Sequence, residues 1–326
     1  MTPREIVKRT IAFDSPERLP RNFPEKFGND IEGVGMSPNP DWRPYGNKIG
    51  LETDEWGAVW ENIGICKLGE VKEFPVKEWS DFDKIKIPDI TEERRWTCIK
   101  GARERAGDKY LIAGGLSLYE RAHFLRGLEN IWIDIHENRE RLEKLLDIFA
   151  DMNVAAIERY KTESPDGYMF CDDWGLQDKL MISPESWREL WKPRYKRVFT
   201  AAHKAGMQTL MHSCGYIVEI LDDLIDAGLD VIQMDQQENM GLDLLSGRFA
   251  GRICFWCPVD IQKTMCCGDL DKVRQYCWTL YGKLGSKKGG FMPKWYGDPV
   301  GAGHTQEAVD AMCEEFLKVS KAKFGA

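Results

Sequence analysis

The segment Gln208-Thr-Leu-Met-His212-Ser-Cys214-Gly215 holds the residues best suited to chemistry. Side chains alternate along a β-strand, so His212 and Cys214, two residues apart, face the same way. An imidazole nitrogen and a sulfur aimed at one point are ligands for a borderline-soft metal, and zinc is the expected ion. Gly215 lets the chain turn sharply into Tyr216 to Ala227, whose apolar residues recur at helical spacing. Two other cysteines stand out by context, Cys254 and Cys257 in Arg252-Ile-Cys-Phe-Trp-Cys257. They have opposite parity, so only one of them can face a given side of a regular strand.

Carboxylates follow other short apolar runs. Gly167 to Cys171 ends in Asp172-Asp173-Trp174-Gly175, and Asp230 to Met234 ends in Asp235. Asp172 and Asp173 point to opposite sides, so one can reach a pocket as a proton donor while the other caps a helix. Twelve tryptophans are present. Trp56, Trp174 and Trp256 fall in segments that can approach the site, and with Asp235 they are the expected substrate-binding residues. Aromatic walls suit a flat aryl group, each stacked pair adding on the order of 1 kcal/mol.

These residues require a scaffold of strands joined by helices. Candidate strands are Tyr110 to Gly114, Gly167 to Cys171, Gln208 to Met211, Asp230 to Met234, Arg252 to Trp256 and Gly289 to Met292. All are short and apolar, as buried parallel strands are. The clearest helix runs from about Arg139 to Lys161, with Leu142, Leu145, Leu146, Phe149 and Met152 on one face. Such alternation predicts a single (β/α)8 barrel spanning residues 1–326, whose functional residues stand at the C-terminal ends of the strands. No Gly-x-Gly-x-x-Gly or Walker-type loop favours an open nucleotide-binding sheet. Residues 1 to about 100 hold most of the fifteen prolines and are expected to form an N-terminal extension with loops over the barrel mouth.

Composition narrows the partners. With 43% hydrophobic and 30% charged residues the chain reads as a globular protein, and its net charge of -8 disfavours nucleic acid and anionic membranes. No apolar run approaches the roughly 20 residues that span a bilayer, and no export signal is evident, so a cytoplasmic location is expected. The ten cysteines are then thiols, and Cys66, Cys98, Cys171, Cys277 and Cys313 are expected to pack in the core. A homodimer is compatible with the sequence.

Several of these runs together resemble the uroporphyrinogen decarboxylase superfamily: Asp172-Asp-Trp-Gly-Leu-Gln177, Ile182-Ser-Pro-Glu-Ser-Trp-Arg188, Lys192-Pro-Arg-Tyr-Lys196 and His212-Ser-Cys-Gly215. Glu120-Arg-Ala-His-Phe-Leu-Arg-Gly127 and Asp54-Glu-Trp-Gly57 resemble its methyltransferase-like branch. The resemblance implies a (β/α)8 barrel, a zinc ion and a cobalamin carried by a partner corrinoid protein. It departs from the decarboxylases at Pro16 to Phe27, which lacks their arginine-rich segment. It departs from the coenzyme M methylating members at Gly289-Gly-Phe-Met292, where they carry a third cysteine ligand. Ether-demethylating members resemble this chain in the spacing of Cys214 and Cys254, which implies Cys254 as third ligand, with Cys257 as alternate. The implied activity is transfer of a methyl group from a small-molecule methyl ether, aryl in kind, to cobalt. The alternatives are methylcobamide:thiol transfer and a decarboxylase-like lyase.

Overall fold

The computed structural model describes residues 1–37, 49–64 and 69–325. Seven parallel strands form a curled sheet in the order β1 (Ile31–Val34), β5 (Tyr110–Gly114), β6 (Gly167–Cys171), β7 (Gln208–His212), β8 (Val231–Gln233), β9 (Cys254–Cys257) and β10 (Phe291–Pro293). A separate antiparallel sheet is made by β2 (Gly50–Thr53), β3 (Val59–Asn62) and β4 (Glu70–Glu73). The six strands expected from apolar runs all form, with ends shifted by a few residues. The Arg139–Tyr160 helix follows its predicted span.

Both faces of the parallel sheet are covered, which is why its strands read as nearly continuous apolar runs. On β6, Tyr168 and Phe170 face the helices, where Phe170 stacks on Tyr195 at 5.8 Å between ring centroids. The alternate residues face the interior and line up across strands in rows. Met169, Leu210, Val231 and Cys254 are register partners in one row, and Cys171, His212, Gln233, Trp256 and Met292 in the row above it. Val7 and Ile11 of the Pro3–Ile11 helix join the same interior cluster as Tyr110, Leu210 and Val231. That helix begins with a capping box made by Thr2 and Glu5.

The first hundred residues therefore do more than cover a mouth. They supply an interior-packing helix and the edge strand β1, whose Ile-Glu-Gly-Val sequence lacks the apolar run that marked the other strands. Between β10 and β1 no eighth strand forms among the described residues. Asn22 instead makes isolated bridges to Lys294, just after β10, and to Asn29, just before β1. Pro20 and Pro24 flank Asn22 and have no N–H to donate, which limits any longer ladder there. No helix among the described residues is long and apolar enough to cross a membrane.

Candidate metal centre and its surroundings

Asp173, His212 and Cys214 bring a carboxylate oxygen, an imidazole nitrogen and a sulfur within 4.8 Å of one another. Cys214 Sγ lies 3.2 Å from His212 Nε2, which lies 3.5 Å from Asp173 Oδ1. All three lie at the C-terminal ends of β6 and β7, His212 as the last residue of β7 and the others just beyond, where barrel-type sheets place their chemistry. Zinc bonds of about 2.0–2.3 Å in tetrahedral array give donor-to-donor edges of about 3.3–3.6 Å, and the two spacings at His212 Nε2 lie close to that range.

The positions arise from two loops that cross. Cys214 N–H donates to Asp173 Oδ1 at 2.8 Å, Gly175 N–H to the Cys214 carbonyl at 3.1 Å, and Tyr216 N–H to the Leu176 carbonyl at 2.8 Å. The backbones touch at Gly175 and Gly215. A Cβ on Gly175 would lie 2.1 Å from Tyr216 N, and one on Gly215 would lie 2.1 Å from the Gly175 carbonyl oxygen. Gly215 also has φ +75°, a left-handed conformation that L side chains rarely adopt.

Behind His212 runs an orienting chain. Lys294 Nζ donates to Asp235 Oδ1 at 3.0 Å, and Gln233 Nε2 donates to the same oxygen at 2.6 Å. Gln233 must then present Oε1 to His212 Nδ1, so Nδ1 carries the proton and Nε2 keeps its lone pair for the metal side. Asp235, expected to touch substrate, is buried and holds the Gln233 amide. Sequence reasoning missed Gln233 and Lys294, although Gln233 has the inward parity of β8.

Asp172 is fully buried at the start of the Tyr119–Arg126 helix. Its Oδ1 accepts from the N–H groups of Tyr119 (2.8 Å) and Glu120 (2.9 Å), and its Oδ2 from Leu118 N–H (3.0 Å) and the Tyr195 hydroxyl (2.8 Å). Burial pushes its carboxyl up to about 7 against the pull of these donors. Four donors on one carboxylate tie Asp172, expected as a proton donor, to the start of that helix.

Cys254 does not reach the pair. It lies in the row below His212, about 7 Å along the strand direction, and the residue on β9 level with His212 is Trp256. Cys257 has the opposite parity and packs in the larger cluster under the helices. The described residues offer Asp173 as third donor instead of either cysteine. Of the tryptophans, Trp174 is fully buried, stacked on Tyr119 at 3.9 Å and donating to Tyr195 Oη at 2.8 Å. Trp56 lines a cavity of about 420 Å³ that includes none of the metal-side residues. Trp256 stands in the His212 row, and its buried indole N–H has no hydrogen-bond partner among the described residues.

Two further groups border the site. Cys171, expected in the core, is exposed and is the register partner of His212. Its thiol faces a concave wall, and partial desolvation there, then Glu120 and Asp173, push it up to about 12. Glu120 is pushed up to about 9 by burial first, then by the charges of Asp173 and Asp172. Cys214 is likewise raised by burial, then by Asp173 and Asp235. Cys98 is exposed, while Cys277 and Cys313 are buried as expected, and Cys66 lies outside the described residues.

A curled parallel sheet with a convergent donor set at its C-terminal edge is the arrangement of an α/β enzyme. Residues 67–274 match the family described as uroporphyrinogen decarboxylase (URO-D), and the chain belongs to that family. A curated relative, methylcobamide:CoM methyltransferase MtbA of Methanosarcina mazei, is 24% identical over 182 residues, covering 52% of this chain and 52% of its own length. The chain thus spans about half the length of the curated relative it matches. A solved methyltransferase from Methanosarcina mazei superimposes with a TM-score of 0.70 at 16% identity, over 98% of this chain and 99% of its own, and shares its fold.

Proposed function

We propose that the protein is a zinc- and corrinoid-dependent methyltransferase that moves a methyl group from a methyl ether, aryl in kind, to the cobalt of a partner corrinoid protein. The convergence of Asp173, His212 and Cys214 at the C-terminal edge of the sheet carries this reading. Membership of the URO-D family and the methyltransferase names of its relatives support it. His212 Nε2, Cys214 Sγ and a carboxylate oxygen of Asp173 would hold zinc. Bound there, zinc would supply Lewis acidity at the ether oxygen, where charge develops as the methyl group leaves.

The chain's own groups do the rest. Gln233 fixes the His212 tautomer, Asp235 and Lys294 fix Gln233, and Asp172 anchors the helix that carries Glu120. Glu120, whose carboxyl is pushed up to about 9, mainly by burial, would supply the proton to the departing oxygen. In the proposal one barrel domain comprises the whole chain, with Asn22 standing in for its eighth strand.

The runner-up is methylcobamide:thiol transfer, favoured by the name of the curated relative. A lyase acting on a polycarboxylate fits less well. Arg18 is held by the buried Asp30, Arg121 by the buried Asp54, and Lys294 by Asp235. The test is elemental analysis of purified protein with and without Cys214→Ala, followed by spectroscopic detection of methylcobalt formation from 2-methoxyphenol and a reduced corrinoid protein. Near-stoichiometric zinc lost in the variant, together with methylcobalt, supports the proposal. Absence of zinc from both proteins removes it.

A further inference from the structure

The interior of the sheet is unevenly filled. Inward positions of β7, β8, β9 and β10 carry large residues such as Leu210, His212, Trp256 and Met292. On β1 and β5 the inward positions include Gly33, the register partner of Ile112, and Gly114, the register partner of Met169. Neither glycine is there for its backbone, because neither has a positive φ. A Cβ at Gly33 would meet nothing within 4 Å, and one at Gly114 only the Val34 carbonyl oxygen at 3.7 Å. Gly167 differs, since a Cβ there would come within 2.6 Å of Leu210 and 2.7 Å of the Tyr110 hydroxyl. Gly167 is filled from outside; Gly33 and Gly114 leave space.

The space is a cavity of about 410 Å³ whose lining includes Gly33, Gly114, Ile112, Met169 and Cys171. Cys171 is the register partner of His212, so the cavity adjoins the metal-side row. It shares Ser117 with a second cavity of about 600 Å³ bordered by Glu120 and His123, so the two adjoin. A void of about 150 Å³ already accommodates benzene, so this one has room for a substituted ring. Among the described residues no charged side chain lines it, so a sulfonate or carboxylate would find no counter-charge from them. Side-chain-free strand segments offer flat peptide walls, and the Met169 thioether is a favourable neighbour for an aromatic ring.

We propose that this hollow receives the uncharged aromatic body of the methyl donor and that Gly33 and Gly114 set the size of ring admitted. The inference rests on the methyl-transfer reading of the neighbouring metal site. Its test is titration calorimetry of 2-methoxyphenol and of 2-mercaptoethanesulfonate into the protein and its Gly33→Val and Gly114→Val variants, with zinc content and melting temperature measured on each. Valine suits a strand and extends into open space at both positions, so folding and zinc content are expected to be unchanged. Affinity for 2-methoxyphenol should fall at least tenfold in both variants, with no effect of 2-mercaptoethanesulfonate on its binding. Unchanged 2-methoxyphenol affinity in both variants overturns the hollow and leaves the metal reading standing. Displacement by 2-mercaptoethanesulfonate also overturns it. Ring binding that the valines abolish in a protein devoid of zinc sustains the hollow and removes the methyl-transfer reading.

Discussion

Replacing Asp172 by asparagine separates a helix cap from a catalytic acid. The carboxamide can keep its oxygen at the Oδ1 position and retain the N–H groups of Tyr119 and Glu120. Its NH2 then stands at the Oδ2 position, facing Leu118 N–H donor to donor, while the Tyr195 hydroxyl can rotate and accept. One buried N–H left unpaired costs about 1–3 kcal/mol, and two retained bonds that lose their ionic character add about 1 kcal/mol. The sum is about 2–4 kcal/mol. An unfolding entropy of about 2.1 cal/mol/K per residue makes this a drop of about 3–6 °C in melting temperature for a chain of this length. Asp173→Asn is the comparison. It keeps an oxygen for Cys214 N–H at a partly exposed site, so its melting temperature should stay within about 1 °C. Its zinc content should fall, whereas Asp172→Asn should retain zinc. Differential scanning calorimetry at matched scan rate with elemental analysis reads both. An Asp172→Asn protein that melts like the wild type yet loses turnover would refute the capping argument.

Three other outcomes are expected. Gly215→Ala should abolish zinc binding, read by elemental analysis, because its Cβ would occupy the Gly175 carbonyl and force apart the loops that join Asp173 to Cys214. Gln233→Leu and Asp235→Asn should weaken zinc affinity about 10- to 100-fold by freeing the His212 ring, measured by competition with a chromophoric chelator. The hydrogen bond to Asp230 raises the pKa of His203 above the ordinary histidine value. Its stabilisation is therefore full below about pH 6.5 and is lost as pH rises through the folded-state value. Denaturant titrations from pH 6 to 9 should show this decline in the wild type, and a decline that persists in His203→Gln would exclude the pair as its source.

The sequence alone determined the local matters. Apolar runs located six of the seven parallel strands, a helical repeat located the Arg139–Tyr160 helix, and period-two alternation put His212 and Cys214 on one face. These signals lie within a few residues of each other, and burial on both faces of the sheet enforces them. Only the tertiary structure decided the partners. Interstrand register set Trp256 rather than Cys254 level with His212, and a crossing of two glycine-bearing loops brought in Asp173. The same non-local packing turned Asp172 into a cap, buried Asp235 behind Gln233 and drew β1 from a segment with no apolar run. A strand's parity is written in its own residues; its height against its neighbours is fixed by contacts distant in the chain.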